Sequence, residues 1–414
     1  MTRPAIAPSP GLPPAASPAL SAGMPFSSRL GSIDVYRGGV MVLMMAEALR
    51  LSEVAKALPG NAFWAFLARQ QTHVEWVGCV LHDLIQPSFS FLVGVALPFS
   101  LASRLARGQS LARLTRHALV RAVILVLLGV FLRSVGRERT NFTFEDTLSQ
   151  IGLGYPVLFL LGLRTSRAQW WSLGGILLSY WLLFAVYPAP GAEFDYPAVG
   201  VPADWPHLMQ GFQAHWNKNS NPAWAFDTWF LNLFPREQPF RFNGGGYATL
   251  SFIPTLATMI LGLIAGGILR EGQPSRRRVL RLAGLGVAAT AAGWALGELG
   301  LCPIVKRIWT PSWTLFSGGL CLLILAALHA MVDLAGVSRW AYPLRVVGMN
   351  SIAAYCLAHL VEDFIRDSLH THLGRDVFRL LGPPYEPLLE GAGVLLVLWL
   401  ILCWMDRRQL YLKI

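Results

Sequence analysis

Apolar runs of membrane-crossing length alternate with short polar gaps along almost the whole chain. A helix needs about 20 apolar residues to cross a bilayer core. On that measure the pattern predicts about ten spans, beginning at Ile33–Leu51, Leu81–Leu101, Leu119–Leu132, Thr147–Leu163 and Trp170–Tyr187. They continue with Thr249–Leu269, Val279–Leu299, Ser312–Leu334, Leu344–Leu360 and Leu388–Trp404. The third and fourth are short or polar at one end. The expected fold class is therefore all-α, a polytopic transmembrane helical bundle filling residues 28–414. Residues 1–27 are rich in Pro, Ala and Ser and carry no apolar core of the signal-peptide kind. They are expected to form a disordered cytoplasmic tail.

The gaps supply orientation. Arg104, Arg107, Arg113 and Arg116 join spans two and three, and Arg164 and Arg167 join four and five. Arg270, Arg276, Arg277, Arg278 and Arg281 join six and seven, and Arg407, Arg408 and Lys413 follow span ten. With ten spans all of these fall on one face, which the positive-inside rule makes cytoplasmic. Both termini are then cytoplasmic, in an inner-membrane protein surrounded by lipid. The opposite connections are longer. The largest, about 188–248, contains Trp205, Trp216, Trp224 and Trp229 and reads as an external lid or an aromatic collar.

Composition agrees with this picture. Of 414 residues 54% are hydrophobic and only 14% charged, whereas soluble domains are nearer a quarter charged. The net charge of +11 belongs to the gap arginines, and no basic face interleaved with aromatics points to nucleic acid. Five scattered cysteines without a CxxC read as free thiols. The triple Gly244-Gly245-Gly246 lacks the flanks of a phosphate loop and reads as a tight turn. No strong internal repeat is visible.

Ionisable residues near spans are the candidates for chemistry. Asp34 and Arg37 share a helix face, as a structural ion pair or a binding group for a charged cofactor. The segment from His73 to Leu84 is the densest cluster. A histidine near neutral pKa can act as base or nucleophile, and Asp83 could orient its ring. His73, Cys79, His82 and Asp83 are all metal-ligand types, but their spacing fits no familiar zinc pattern, so no metal is expected. Asn350 would be helix–helix glue or a pocket group, and the stretch Lys306–Thr310 would be an interfacial anchor.

Several motifs in order resemble the transmembrane N-acetyltransferases typified by heparan-α-glucosaminide N-acetyltransferase. They are Ser32-Ile33-Asp34-Val35-Tyr36-Arg37-Gly38, the segment His73 to Phe89, Phe91-Leu92-Val93-Gly94, Ile253 to Thr258, Pro303 to Thr310 and Gly348-Met349-Asn350. The resemblance implies a membrane acyltransferase that carries acetyl from cytoplasmic acetyl-CoA to an amino sugar or glycan on the far side. It implies His73 and Asp83 as the catalytic pair. The loop cations Arg104, Arg107 and Arg276, with Asp34 and Arg37, are candidates for the cofactor, and Trp76, Trp309 and Asn350 for the acceptor pocket. A homodimer is compatible with this reading. The sequence departs from the family pattern at Glu47-Ala48, where many members carry asparagine, and at Leu148-Ser149-Gln150-Ile151, which lacks the family's arginine. The alternatives are a permease without chemistry and an O-acyltransferase acting on external glycans.

Overall fold

The computed structural model describes residues 30–272 and 274–412. The expected tail over residues 1–27 and Lys413 lie outside the described residues. The helices begin with α1 (Gly31–Met45), α2 (Leu51–Ala57), α3 (Ala62–Gln71), α4 (Ile85–Ala106) and α5 (Leu111–Ser134). Next come α6 (Thr147–Gly162), α7 (Ser166–Val186), α8 (Pro222–Phe230), α9 (Phe252–Leu269) and α10 (Arg276–Glu298). The series ends with α11 (Pro311–Leu328), α12 (Tyr342–Met349), α13 (Ser351–Leu360), α14 (Glu362–Leu373) and α15 (Glu386–Arg407). Among the described residues the extended pairing is one isolated bridge, Val77 with Val305. The fold is an all-α polytopic bundle.

Local chemistry starts these helices where the sequence places small polar residues. The side chains of Ser110, Asp146, Thr165 and Thr310 accept backbone N–H bonds at the starts of α5, α6, α7 and α11, as N-caps do. In α5 the arginines lengthen the helix beyond its apolar stretch, to 24 residues.

Seven helical segments, among the described residues, are long and apolar enough to cross a membrane. The other three expected spans are shortened or broken. The first gives 15 residues of α1 and then tightens into a 3-10 turn at Ala46–Leu49. The fourth is the 16-residue α6. The ninth splits into α12 and α13 at Asn350, which stands between them with φ near −127°. Its side chain bonds Leu410 O at 2.7 Å and Leu412 N at 3.0 Å, so it ties the break to the chain beyond α15.

Helix α9 is the axis of the bundle: all but one of the residues from Pro254 to Leu269 are buried, and it packs against α4, α6, α7 and α11. By contrast α7 and α10 turn Trp171, Leu178, Leu280, Val287 and Trp294 outward. Apolar side chains on the outside are what a lipid-facing surface requires. The arginine-bearing connections α4–α5, α6–α7 and α9–α10 join the helix ends remote from His73, whereas Arg133 at the end of α5 lines its cavity.

The contact of α4 with α9 rests on glycine. A Cβ on Gly262 of α9 would lie 1.9 Å from the Phe91 carbonyl oxygen of α4, and one on Gly94 would lie 1.9 Å from Met259 O. Backbone therefore meets backbone, as small residues permit between packed helices. The prediction is that Gly262→Val lowers stability by about 3 kcal/mol or prevents folding. Gly267→Ala, whose Cβ meets nothing within 4 Å, should leave the melting temperature in detergent unchanged.

Candidate active site

Two loops make the site. After α3 the chain runs through His73 to Val80 and enters α4 by a 3-10 turn, Leu81–Leu84. The loop between α10 and α11 lies against it through the Val77–Val305 bridge and a 3.0 Å bond from Gly78 N to Ile304 O. Arg307 clamps the pair by donating to Val74 O and Gly245 O. The glycine triple is indeed turned tightly: Gly246 has φ +78°, and a Cβ there would lie 2.6 Å from the Trp76 ring.

This register brings together three ionisable groups. His73 Nδ1 lies 2.8 Å from Asp83 Oδ1, and Lys306 Nζ lies 3.1 Å from the same oxygen and 3.0 Å from Nδ1. Asp83 is fully buried, and its Oδ2 accepts from Val74 N and Val80 N. A carboxylate oxygen has two lone pairs, so in the tautomer that protonates Nδ1, Oδ1 accepts from both His73 Nδ1–H and the ammonium. The arrangement leaves His73 Nε2 free for a substrate. Burial, seconded by the Lys306 charge, pushes His73 below its ordinary value although Asp83 opposes this. Burial likewise pushes Lys306 down against the pull of Asp83. This lowering favours the neutral imidazole, the form that can act as base or nucleophile.

His73 opens into a cavity of about 180 Å³ lined also by Glu47, His82, Gln86, Arg133, Glu145, Asp146, Tyr247, Lys306 and Tyr355. A second cavity, of about 310 Å³, adjoins it: Thr147 and Tyr355 line both. This second one is largely apolar and holds two cations, Arg37 and Arg121. Arg121 donates to Tyr155 Oη at 3.2 Å, while its buried Nε–H has no partner among the described residues. A roomier cavity of about 400 Å³ lies on the other side of the 77–79 segment, lined by Cys79, Trp294 and Glu298. It contains neither His73 nor Asp83.

Other expected site residues fall elsewhere. Trp76 is buried and donates to Trp216 O at 3.1 Å. Trp309 is buried with φ +50° and donates to Thr258 Oγ1 at 3.1 Å. Neither of these, nor Asn350, lines the His73 cavity: the two indoles pack behind the loops that carry the site, and Asn350 is spent on the chain end. Asp34 and Arg37 sit 3.6 Å apart, with Arg37 in the second cavity. Arg104 contacts His117 at 3.1 Å, one turn of α5 before Arg121. Arg107 folds back on Ser103, and Arg276 is exposed at the start of α10. Glu47, His73 and His82 also bring three potential metal-ligand groups close together.

Sequence reasoning missed Lys306 and Arg121 as members of these cavities. Lys306 stood in a motif with its own local explanation, and Arg121 in a helix too charged at its start to look like a pocket wall.

No protein-family model matches the chain. It is similar to heparan-α-glucosaminide N-acetyltransferase of Mus musculus, with 24% identity over 377 residues, 82% of this chain and 54% of that protein. The Homo sapiens protein of the same name shows 25% identity over 374 residues, 81% of this chain and 53% of its own length. The chain spans about half the length of the curated relatives it matches. Similarity of this extent marks a distant family relationship.

The Lys306 contact carries a prediction. Removing one partner of a buried ion pair costs about 3–5 kcal/mol. In Lys306→Met the remaining cation source is His73, whose pKa rises once the ammonium that lowers it is gone. Wild type, whose folded His73 is depressed, gives up stability as pH falls through the unfolded value, and the variant, with His73 less depressed, gives up less of it there. Melting in detergent should show Lys306→Met more damaging at pH 8 than at pH 5.5.

Proposed function

We propose that the chain transfers an acetyl group from acetyl-CoA to an amino-sugar or glycan acceptor held in the His73 cavity. The observation that carries this reading is the adjoining pair of cavities. One is apolar and bears two arginines, the other is polar and bears a histidine backed by a buried carboxylate. A long donor with an anionic end and a thioester end suits that pair. The distant relationship to proteins named as N-acetyltransferases supports the same chemistry.

In this reading Arg37 and Arg121 meet phosphate oxygens, and the unpartnered Nε–H of Arg121 is one of the donors. Arg104 of α4 contacts His117, which stands one turn of α5, about 6 Å, before Arg121 on the side of the arginine-rich end, where Arg107 and Arg276 add exposed positive charge. The arginine-rich connections face the cytoplasm and the 188–248 segment faces outward, so donor and acceptor arrive from opposite sides of an inner membrane. Asp83 holds His73 Nδ1–H, and Nε2 takes a proton from the acceptor amine as its nitrogen attacks the thioester carbon. The C–N bond forms, the C–S bond breaks, and CoA leaves as the thiolate. The two-step variant has Nε2 take the acetyl group first.

The test uses purified chain, radiolabelled acetyl-CoA and a panel of amino sugars and glycan fragments. Wild type should transfer label. His73→Ala should lose transfer by about 100-fold or more while acetyl-CoA still raises its melting temperature, as binding to the native state must. Arg121→Ala should lose that stabilisation instead. Solute flux without any use of acetyl-CoA, and equal in His73→Ala, would overturn the proposal in favour of a permease.

A further inference from the structure

The proposed chemistry leaves Glu47 and His82 unused, and their arrangement is not that of ordinary structural groups. His82 is buried, with 3% of its side chain exposed, yet its Nε2 lies 2.5 Å from Oε1 of Glu47, whose side chain is 60% exposed in the His73 cavity. A buried imidazole thus holds an exposed carboxylate by one oxygen. The second oxygen has no partner among the described residues.

The backbone under Glu47 is also fixed. It stands in the 3-10 turn after α1, which closes at Arg50 in the left-handed region, φ +47°. Gln71 of α3 spans the turn, donating to Ala46 O and accepting from Leu51 N. A solvent-exposed glutamate seldom has this much holding it, because fixing a long side chain costs conformational entropy.

The geometry points to Glu47 as the acceptor's ammonium anchor and His82 as the residue that positions it; this rests on the acetyl-transfer reading. A ligand atom from each of Glu47, His73 and His82 lies within 4.8 Å of the others. One nitrogen making hydrogen bonds of about 2.8 Å to two groups can bridge up to about 5.6 Å. A single amine therefore reaches the Glu47 carboxylate and a His73 ring nitrogen together. Glu47 is the cavity carboxylate that offers an exposed oxygen with no partner among the described residues. Lys306 is neutralised by Asp83 at 3.1 Å, and burial pushes Glu145 and Asp146 up toward their neutral forms. An amino sugar arrives mostly as the ammonium, and the anchor binds that form; one proton passes to water at the exposed cavity mouth to free the lone pair, and His73 Nε2 takes the second as the nitrogen attacks. The inferred specificity is for a primary ammonium over a hydroxyl at the attacking position.

The experiment compares glucosamine with glucose on the full chain. Binding is measured by calorimetry without donor, and transfer with acetyl-CoA. Wild type should bind glucosamine more tightly than glucose, and Glu47→Gln should erase most of that difference. In transfer Glu47→Gln should raise KM for glucosamine about tenfold or more with kcat changed far less. Glu47→Asp should fall between, and His82→Phe should shift KM in the same direction. Retained stabilisation by acetyl-CoA shows that each variant is folded. An unchanged KM in Glu47→Gln, in a chain that transfers acetyl, overturns the anchor alone. Absence of transfer in wild type, with glucosamine binding that still depends on Glu47, overturns the acetyl-transfer reading and leaves the anchor. Transfer abolished by a chelator and restored by zinc would make the three residues metal ligands and overturn the anchor.

Discussion

The buried pair of Lys306 and Asp83 is the interaction on which the rest of the site depends. It joins positions 223 residues apart in a place where neither charge could stand alone. An uncompensated buried charge costs several kcal/mol, so the two loops must meet in one register for either to be satisfied. That register then sets the others. The bridge of Val77 with Val305, the grip of Arg307 on Val74 and Gly245, and the bond of Trp76 to Trp216 all follow from it. The 188–248 segment is thereby seated on the site: Trp205 donates to Glu75 at 3.1 Å and packs edge-on against Trp76, while Trp229 remains 61% exposed.

The same pair governs the chemistry. An aspartate alone beside a histidine strengthens it as a base. Here the ammonium shares the carboxylate oxygen, and burial favours the neutral imidazole. The ring is oriented by Asp83 without being committed to the protonated form. In the proposed reaction Nε2 then takes its proton from the acceptor.

The helices that fall short of a full crossing line the cavities together with α4 and α5. The turn that ends α1 carries Glu47, the start of α6 brings Thr147 beside Asp146, and the segment after the Asn350 break carries Tyr355 and His359. A continuous helix across the membrane satisfies its own backbone and leaves little room between neighbours. Broken and shortened ones leave polar ends inside the protein, where they can border a water-filled space. The long helices α4, α9 and α11 supply the frame, with glycine allowing α4 and α9 to touch.

Much of this was legible in the residues themselves. Apolar run length and capping residues are local properties, so the sequence determined the helical class, most helix positions and the arginine-rich end. It also placed His73 and Asp83 together, because they are ten residues apart in one segment. Only the tertiary structure decided which groups complete the cavities. Lys306 reaches His73 across 233 residues, Glu47 reaches His82 across 35, and Arg121 enters the second cavity from a helix face no local pattern singles out. Trp76, Trp309 and Asn350 went the other way: their types suit a binding pocket, but packing spent them on holding the loops and the chain end. The physical reason is common to all of these. A side chain's role at a site depends on what faces it, and what faces it is set by long-range packing that no window of the sequence contains.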